Sequence, residues 1–251
     1  MQYTLKKSLG QHFLHDENIS KKIVLQLTHK PGMQLLEIGP GGGALTKYLA
    51  LWEDADYKAI EIDDEKIKYL IKTYPYLNGK IIHKDILQAE TPFESNFSVI
   101  GNFPYNISSP ILFKVLEWDP LVDEVIGMFQ KEVAQRIAEG PGSKQYGILS
   151  VLMQAFFKVE YLFDVNENCF VPPPKVKSGV IRFTNLHNPH SIVNKKKFIN
   201  LVKAAFNQRR KTLRNALKGT LPADLLVQPV MSKRAEQLSV ADFVAIYNQC
   251  Q

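Results

Sequence analysis

Leu35-Leu36-Glu37-Ile38-Gly39-Pro40-Gly41-Gly42-Gly43-Ala44 is the stretch on which the fold turns. An apolar run of strand type ends in a glycine-rich turn of the form G-x-G-x-x-A, and a helical pattern over residues 44–51 follows. Glycine tolerates backbone angles that a Cβ forbids, and it lets a ligand lie close against the main chain. Alone, the pattern is only a tight turn, so its neighbours decide. Strand patterns recur at residues 34–38, 57–62, 80–83, 97–101 and 124–129, with helical patterns at 64–73 and 110–117 among them. Such alternation predicts βαβ units, hence a parallel sheet with helices on both faces. A helical stretch at 147–156 leads to two further strand patterns, 158–165 and 179–184, separated by the proline-rich Val171-Pro172-Pro173-Pro174. With no helix between them, these two are expected to pair as an antiparallel edge.

The chain has 251 residues, 45% hydrophobic and 22% charged, enough for one medium-sized domain with a small appendage. Residues 1–14 mix Lys6, Lys7 and Gln11 into a short apolar content and do not read as a secretory leader. The most apolar stretch, residues 146–157, carries Ser150 and Gln154 and is too short to span a bilayer. A cytoplasmic protein without a membrane partner is expected, and nothing demands more than a monomer. Cys169 and Cys250 lack metal-ligand or CxxC spacing and read as free thiols, and the scattered histidines support no metal site.

The net charge of +6 conceals an asymmetry. Residues 185–194 read as a linker, after which helical patterns lie at 196–207, 212–217, 235–237 and 240–248. Residues 1–184, the expected main domain, hold 20 Lys+Arg against 22 Asp+Glu, net −2. Residues 185–251, the expected small helical domain, hold 11 against 3, net +8. A basic segment on a near-neutral body is the electrostatic footprint of a nucleic-acid partner, although surface lysines are also commonly just solvated.

Glu61 ends the second strand pattern, 22 positions after Gly39, where a carboxylate can accept from both hydroxyls of a ribose. Asp85 closes the third, where it can accept from an adenine amine. With Gly39 and Gly41 in the turn, these acids at successive strand ends point to an adenosine-type cofactor. They do not choose between a dinucleotide and S-adenosylmethionine. The fourth strand makes that choice, because it ends in Ile100-Gly101-Asn102-Phe103-Pro104-Tyr105. Adenine's exocyclic nitrogen is a poor nucleophile, its lone pair being delocalised into the ring. The Asn102 side-chain oxygen and a nearby backbone carbonyl can each accept one of its N–H groups, drawing the nitrogen toward a tetrahedral shape. Pro104 fixes the turn and preorganises the carbonyls, and Tyr105 offers a flat face for the base. The same edge carries no hydride-handling His or Lys, so the dinucleotide reading falls.

The segments Ser8-Leu9-Gly10-Gln11-His12-Phe13-Leu14, Glu37-Ile38-Gly39-Pro40-Gly41 and Asn102-Phe103-Pro104-Tyr105-Asn106-Ile107-Ser108-Ser109-Pro110-Ile111 closely resemble the KsgA (RsmA) family of small-subunit ribosomal RNA adenine dimethyltransferases. The resemblance continues in family order through Phe170-Val171-Pro172-Pro173-Pro174-Lys175-Val176-Lys177-Ser178 and Ala205-Phe206-Asn207-Gln208-Arg209-Arg210-Lys211-Thr212-Leu213-Arg214-Asn215. It implies a class I S-adenosylmethionine-dependent methyltransferase fold, α/β and Rossmann-like, with seven strands, the last antiparallel, and a small all-α C-terminal domain. It implies cofactor contacts at His12, Leu14, Gly39, Glu61, Asp85 and Asn102. The implied reaction is dimethylation of two adjacent adenines in a hairpin loop near the 3′ end of 16S rRNA, within a partly assembled 30S subunit. Two departures stand out. The family's commoner Asn is His12 here, and its usual Leu is Phe103, an apolar exchange that should spare the carbonyl geometry.

Two further residue sets follow from the resemblance. Phe170 is a candidate to close over the target base opposite Tyr105, with core packing the competing role. Arg209, Arg210, Lys211 and Arg214 form a cluster expected at the start of a helix, where cations oppose the helix dipole and phosphate contact is the better explanation. Two rivals stay open. One is an Erm-type large-subunit RNA methyltransferase, which shares the Asn-x-Pro-Tyr pattern. The other is a non-catalytic RNA-binding assembly factor.

Overall fold

Five apolar runs pair in parallel to form the centre of one sheet. The computed structural model describes residues 12–250, so the Ser8 to Gln11 part of the first matching segment lies outside the described residues. β1 (Phe13–Leu14) lies outside that sheet. β2 (Gln34–Ile38), β3 (Asp56–Glu61), β4 (Ile81–His83), β5 (Phe97–Asn102) and β6 (Val122–Gln130) are its parallel members. β7 (Phe157–Val165) and β9 (Ser178–Asn185) complete seven strands in the order β4-β3-β2-β5-β6-β9-β7. β9 runs antiparallel to β6, with Gly127 opposite Ile181. β8 (Phe170–Val171) pairs antiparallel with β1, placing Leu14 opposite Phe170. Helices cover both faces, which is why β2 and β5 are buried almost throughout instead of alternating.

Most elements follow from local chemistry. The helix Asp64–Thr73 starts where the Asp63 side chain accepts the Glu65 N–H, and Asp64 and Glu65 complement its N-terminal dipole. The helix expected over residues 44–51 forms only at Thr46–Leu49, because Gly39, Gly41 and Gly43 all have positive φ and the chain stays in turns through Leu45. The helix Glu17–Val24, outside the pattern read from Met33 onward, is started by Asp16, whose carboxylate accepts from the Asn18 and Ile19 amides.

The chain divides into two compact units. The first comprises the chain up to Ala134 together with Glu160–Asn185, and the second comprises Gln135–Val159 with Leu186–Gln251. A single boundary at 184/185 leaves residues 135–159 in the sheet domain, whereas the structure groups them with the C-terminal helices. Apolar area supplies the reason. The helix Ile148–Phe156 and Tyr146 provide rings for the helices Lys195–Asn207 and Val240–Asn248 to bury: Phe156 meets Phe198, Tyr146 meets Phe206, and Phe206 stacks on Phe243 at 5.9 Å. A short C-terminal segment alone would lack core. Counted over these units, the second carries 14 Lys+Arg against 4 Asp+Glu, net +10, and the first 17 against 21, net −4. Among the described residues no helix is long and apolar enough to cross a membrane.

Candidate active site

The carboxyl ends of β2, β3 and β5 converge on a cavity of about 290 Å³ within the first unit. Its lining includes His12, Leu14, Gly39, Gly41, Glu61, Asp85, Asn102, Pro104 and Tyr105. In an open parallel sheet this edge is where ligands bind. Among the described residues no group of three or more His, Cys, Asp and Glu side chains is placed to hold a metal.

The glycine turn forms one wall. Gly39 and Gly41 have φ of 68° and 57°, angles that favour glycine, and a Cβ on Gly39 would meet nothing within 4 Å, so the main chain there faces open space. Glu61 is buried beside it and locked by backbone amides: Gly41 N–H donates to Oε2 at 3.1 Å, while Ile62 and Asp63 N–H donate to Oε1 at 2.9 and 3.0 Å. A carboxylate held this way keeps its remaining lone pairs aimed without further ordering. Asp85, half-buried, caps a short turn through the Leu87 N–H at 2.9 Å and lines the same cavity with the exposed apolar side chains of Ile62 and Leu87. Open main chain, a locked acid and apolar faces suit an adenosine moiety.

Two cavity residues, and one that touches a cavity residue from outside, escaped the sequence reading. Glu37 lies under the turn, fully buried, and both the Tyr57 and Thr46 hydroxyls donate to its Oε2, at 2.5 and 2.8 Å. Burial pushes its carboxyl up to about 7, against those hydrogen bonds and with help from Glu61. Lys66 is a buried cation on the same lining, and Ser178 reaches Tyr105 from β9. An acid inside an apolar strand was the available signal for Glu37; local pattern gave none for Ser178.

The other wall is the end of β5. Asn102 Nδ2 donates to the His12 carbonyl at 3.5 Å, a long bond that leaves Oδ1 as the acceptor. His12 Nδ1 lies 2.8 Å from the Pro172 carbonyl; a carbonyl only accepts, so this nitrogen is the donor. Its ring sits 5.7 Å from that of Tyr105. Tyr105 Oη and Ser178 Oγ share a hydrogen bond at 2.6 Å, and burial raises the Tyr105 hydroxyl above its ordinary range. The ring of Phe103 is buried in T-shaped contact with Phe129, in space that Gly101 and Gly127 leave by lacking a Cβ. This accommodates the aromatic in place of leucine.

Two expectations change. Phe170 does not line the cavity: it is 1% exposed and packed in the core with Leu14, Ile23 and Val180, because its pairing with Leu14 in the β1–β8 ladder commits the side chain inward. Arg209, Arg210 and Lys211 lie in the turn between the helix Lys195–Asn207 and the short helix Leu213–Ala216, which holds Arg214, so the cluster does lead into a helix start, but Arg209 has another task. It clamps its own unit, donating to the carbonyls of Ser143, Lys144 and Tyr146 and pairing with Glu236. Arg214 Nε donates to the Leu226 carbonyl at 3.0 Å. Arg210 and Lys211 are exposed.

Comparison with known proteins resolves the class. A dimethyladenosine transferase from Plasmodium falciparum, of known crystal structure, superposes with a TM-score of 0.81 at 27% identity, over 95% of this chain and 97% of that one. The fold is thus that of class I S-adenosylmethionine-dependent methyltransferases. Within that class the chain belongs to the ribosomal RNA adenine dimethylase family, whose sequence model matches residues 2–251. Ribosomal RNA small subunit methyltransferase A of Cytophaga hutchinsonii is 51% identical over 97% of this chain and 96% of its own. The 23S rRNA methyltransferase ErmE is 26% identical with a TM-score of 0.68, over 94% of this chain and all of that one. The activity is S-adenosylmethionine-dependent N6,N6-dimethylation of adenine in ribosomal RNA.

Proposed function

We propose that the substrate is 16S rRNA in a partly assembled 30S subunit in the cytoplasm, and that two adjacent adenines in the hairpin loop near its 3′ end are each dimethylated. The carrying observation is the near-full-length match at 51% identity to a small-subunit enzyme, against 26% to a 23S enzyme.

When bound, S-adenosylmethionine supplies an electrophilic methyl group on a sulfonium. Glu61 would accept from its ribose hydroxyls and Asp85 from its adenine amine, and the Gly39–Gly41 main chain would leave room for the rest. Asn102 Oδ1 accepts one N–H of the target amine. Pro104 O already accepts the Ile107 N–H at 3.1 Å, which favours the Phe103 carbonyl as the second acceptor, with Pro104 fixing the turn. Tyr105 stacks on the flipped base, a contact worth about 1–3 kcal/mol. No strong base is needed, since the alkylated nitrogen becomes acidic enough to lose its proton to water. A monomethylated amine keeps one N–H, so it re-enters the same acceptor pair for the second transfer. Most of the rate enhancement is positioning. RNA affinity comes from the +10 unit, with Arg210 and Lys211 offering exposed charge in the turn and Arg209 and Arg214, exposed as well, shaping it through their bonds to carbonyls.

The test is transfer from labelled cofactor to unmethylated small or large subunits. Label in small subunits alone, recovered as dimethyladenine at two neighbouring positions, is expected. Label in large subunits selects the Erm-type reading, and firm subunit binding without label selects an assembly factor.

A further inference from the structure

We propose that Ser178 is the positioning residue for Tyr105, setting the plane of the ring on which the target base stacks. This rests on Tyr105 being that stacking residue. Tyr105 belongs to the loop between β5 and the helix Ser108–Trp118, where its backbone alone leaves the ring free to turn about χ1. Its hydroxyl meets Ser178 Oγ at 2.6 Å. Ser178, by contrast, cannot drift. It is fully buried, opens β9, and pairs in register with Gln130 of β6. The next residue, Gly179, is packed so closely that a Cβ there would lie 2.6 Å from the Tyr161 hydroxyl and 2.9 Å from Ala134 Cβ. A loop ring is thereby referenced to the rigid sheet through one hydrogen bond.

The same segment holds the neighbouring wall. Phe170 pairs with Leu14, and the Pro172 carbonyl takes the His12 Nδ1–H, bringing the His12 ring to 5.7 Å from Tyr105 at an interplanar angle of 31°. Residues 170–178 therefore act as a strap whose ends fix the two rings beside Asn102. Its buried Phe170 secures the strap, and Ser178 delivers the constraint.

The experiment measures kcat, KM and cofactor affinity of the full chain with unmethylated small subunits, for Ser178→Ala, Tyr105→Phe, their combination, and Tyr105→Ala. Ser178→Ala and Tyr105→Phe are each expected to lower kcat about 10- to 100-fold, leaving cofactor affinity in calorimetry unchanged. The combination should be no worse than either alone, because both remove one bond. A Ser178→Ala enzyme within twofold of wild type, or losses that multiply, overturns the proposal. Should Ser178→Ala not fold, Tyr105→Phe decides: it removes the same bond and leaves β9 intact, so full activity there overturns the proposal too. Tyr105→Ala separates the two readings. If it stays active, stacking itself is wrong; if it is dead while Tyr105→Phe is normal, only the tether is wrong.

Discussion

On the cofactor side of the cavity, the residues that hold one another are close in sequence. Glu61 takes the amides of Gly41, Ile62 and Asp63, and Glu37 takes the hydroxyls of Thr46 and Tyr57, none more than 20 positions away. On the target-base side the separations are of another order. Tyr105 reaches Ser178 across 73 positions, Asn102 reaches His12 across 90, and His12 reaches Pro172 across 160. The first side is built by strand ends and a turn that form wherever β2 and β3 pair. The second exists only once β9 and the β1–β8 ladder are in place. Cofactor binding and base alignment should therefore be separable by mutation.

The largest expected effects test this directly. Asn102→Ala removes an acceptor whose bond to the target amine matters most as the nitrogen becomes tetrahedral, so transfer should fall about 100- to 1000-fold with a small change in cofactor affinity. Glu61→Ala removes ribose contacts to an ionisable acceptor and should weaken cofactor binding about 10- to 100-fold in calorimetry. An Asn102→Ala enzyme with near-normal turnover would contradict the assigned chemistry. Equal losses of affinity in both variants would erase the division.

The contrast also explains what could be read from the chain. Gly39, Gly41, Glu61, Asp85 and Asn102 are legible because each sits at a strand end, and strand ends follow from local apolar pattern. The segment 170–178 was singled out for the target side through Phe170, but the structure gives that residue to the core and the polar work to Pro172 and Ser178. Alternation says which face a strand residue takes only when the strand's partner is known. Two-residue strands such as β1 and β8 leave too little pattern to show it. The task of Arg209 within its own unit was hidden for the same reason, since the carbonyls that occupy it lie more than 60 positions earlier.

Glu37 sharpens the cofactor side through pH. Its carboxyl holds a proton more tightly folded than unfolded, with a value of about 7 against an ordinary 4.5. The native state then binds more protons between those values, so stability falls as pH rises from about 4.5 to 7 and is constant above, a loss of about 3 kcal/mol. Glu37→Gln keeps an oxygen for the Tyr57 and Thr46 hydroxyls but carries no charge. Across pH 5 to 8, thermal unfolding of the wild type should show this decline and the variant should lack it, being the more stable at pH 8. Parallel profiles would mean that Glu37 is already charged throughout.

Gly127→Ala probes the target side with the smallest effect. The added Cβ would lie 2.6 Å from Phe129 Cε2 and 2.7 Å from Phe103 Cε2, both in buried rings, so one must move. Overpacking of this kind costs about 1–3 kcal/mol, seen as a lower Tm. Phe103 is the more consequential ring, since its backbone follows Asn102 directly and provides the favoured second acceptor. Displacing it should slow transfer several-fold and leave cofactor affinity unchanged, because no residue of the glycine turn touches the added methyl within 4 Å among the nearest neighbours. Phe103→Leu in the same chain should restore part of both losses, as the smaller side chain vacates the contested space. If Gly127→Ala instead weakens cofactor binding as much as it slows transfer, the two sides are mechanically one, and the separation drawn from their contact distances in sequence does not hold.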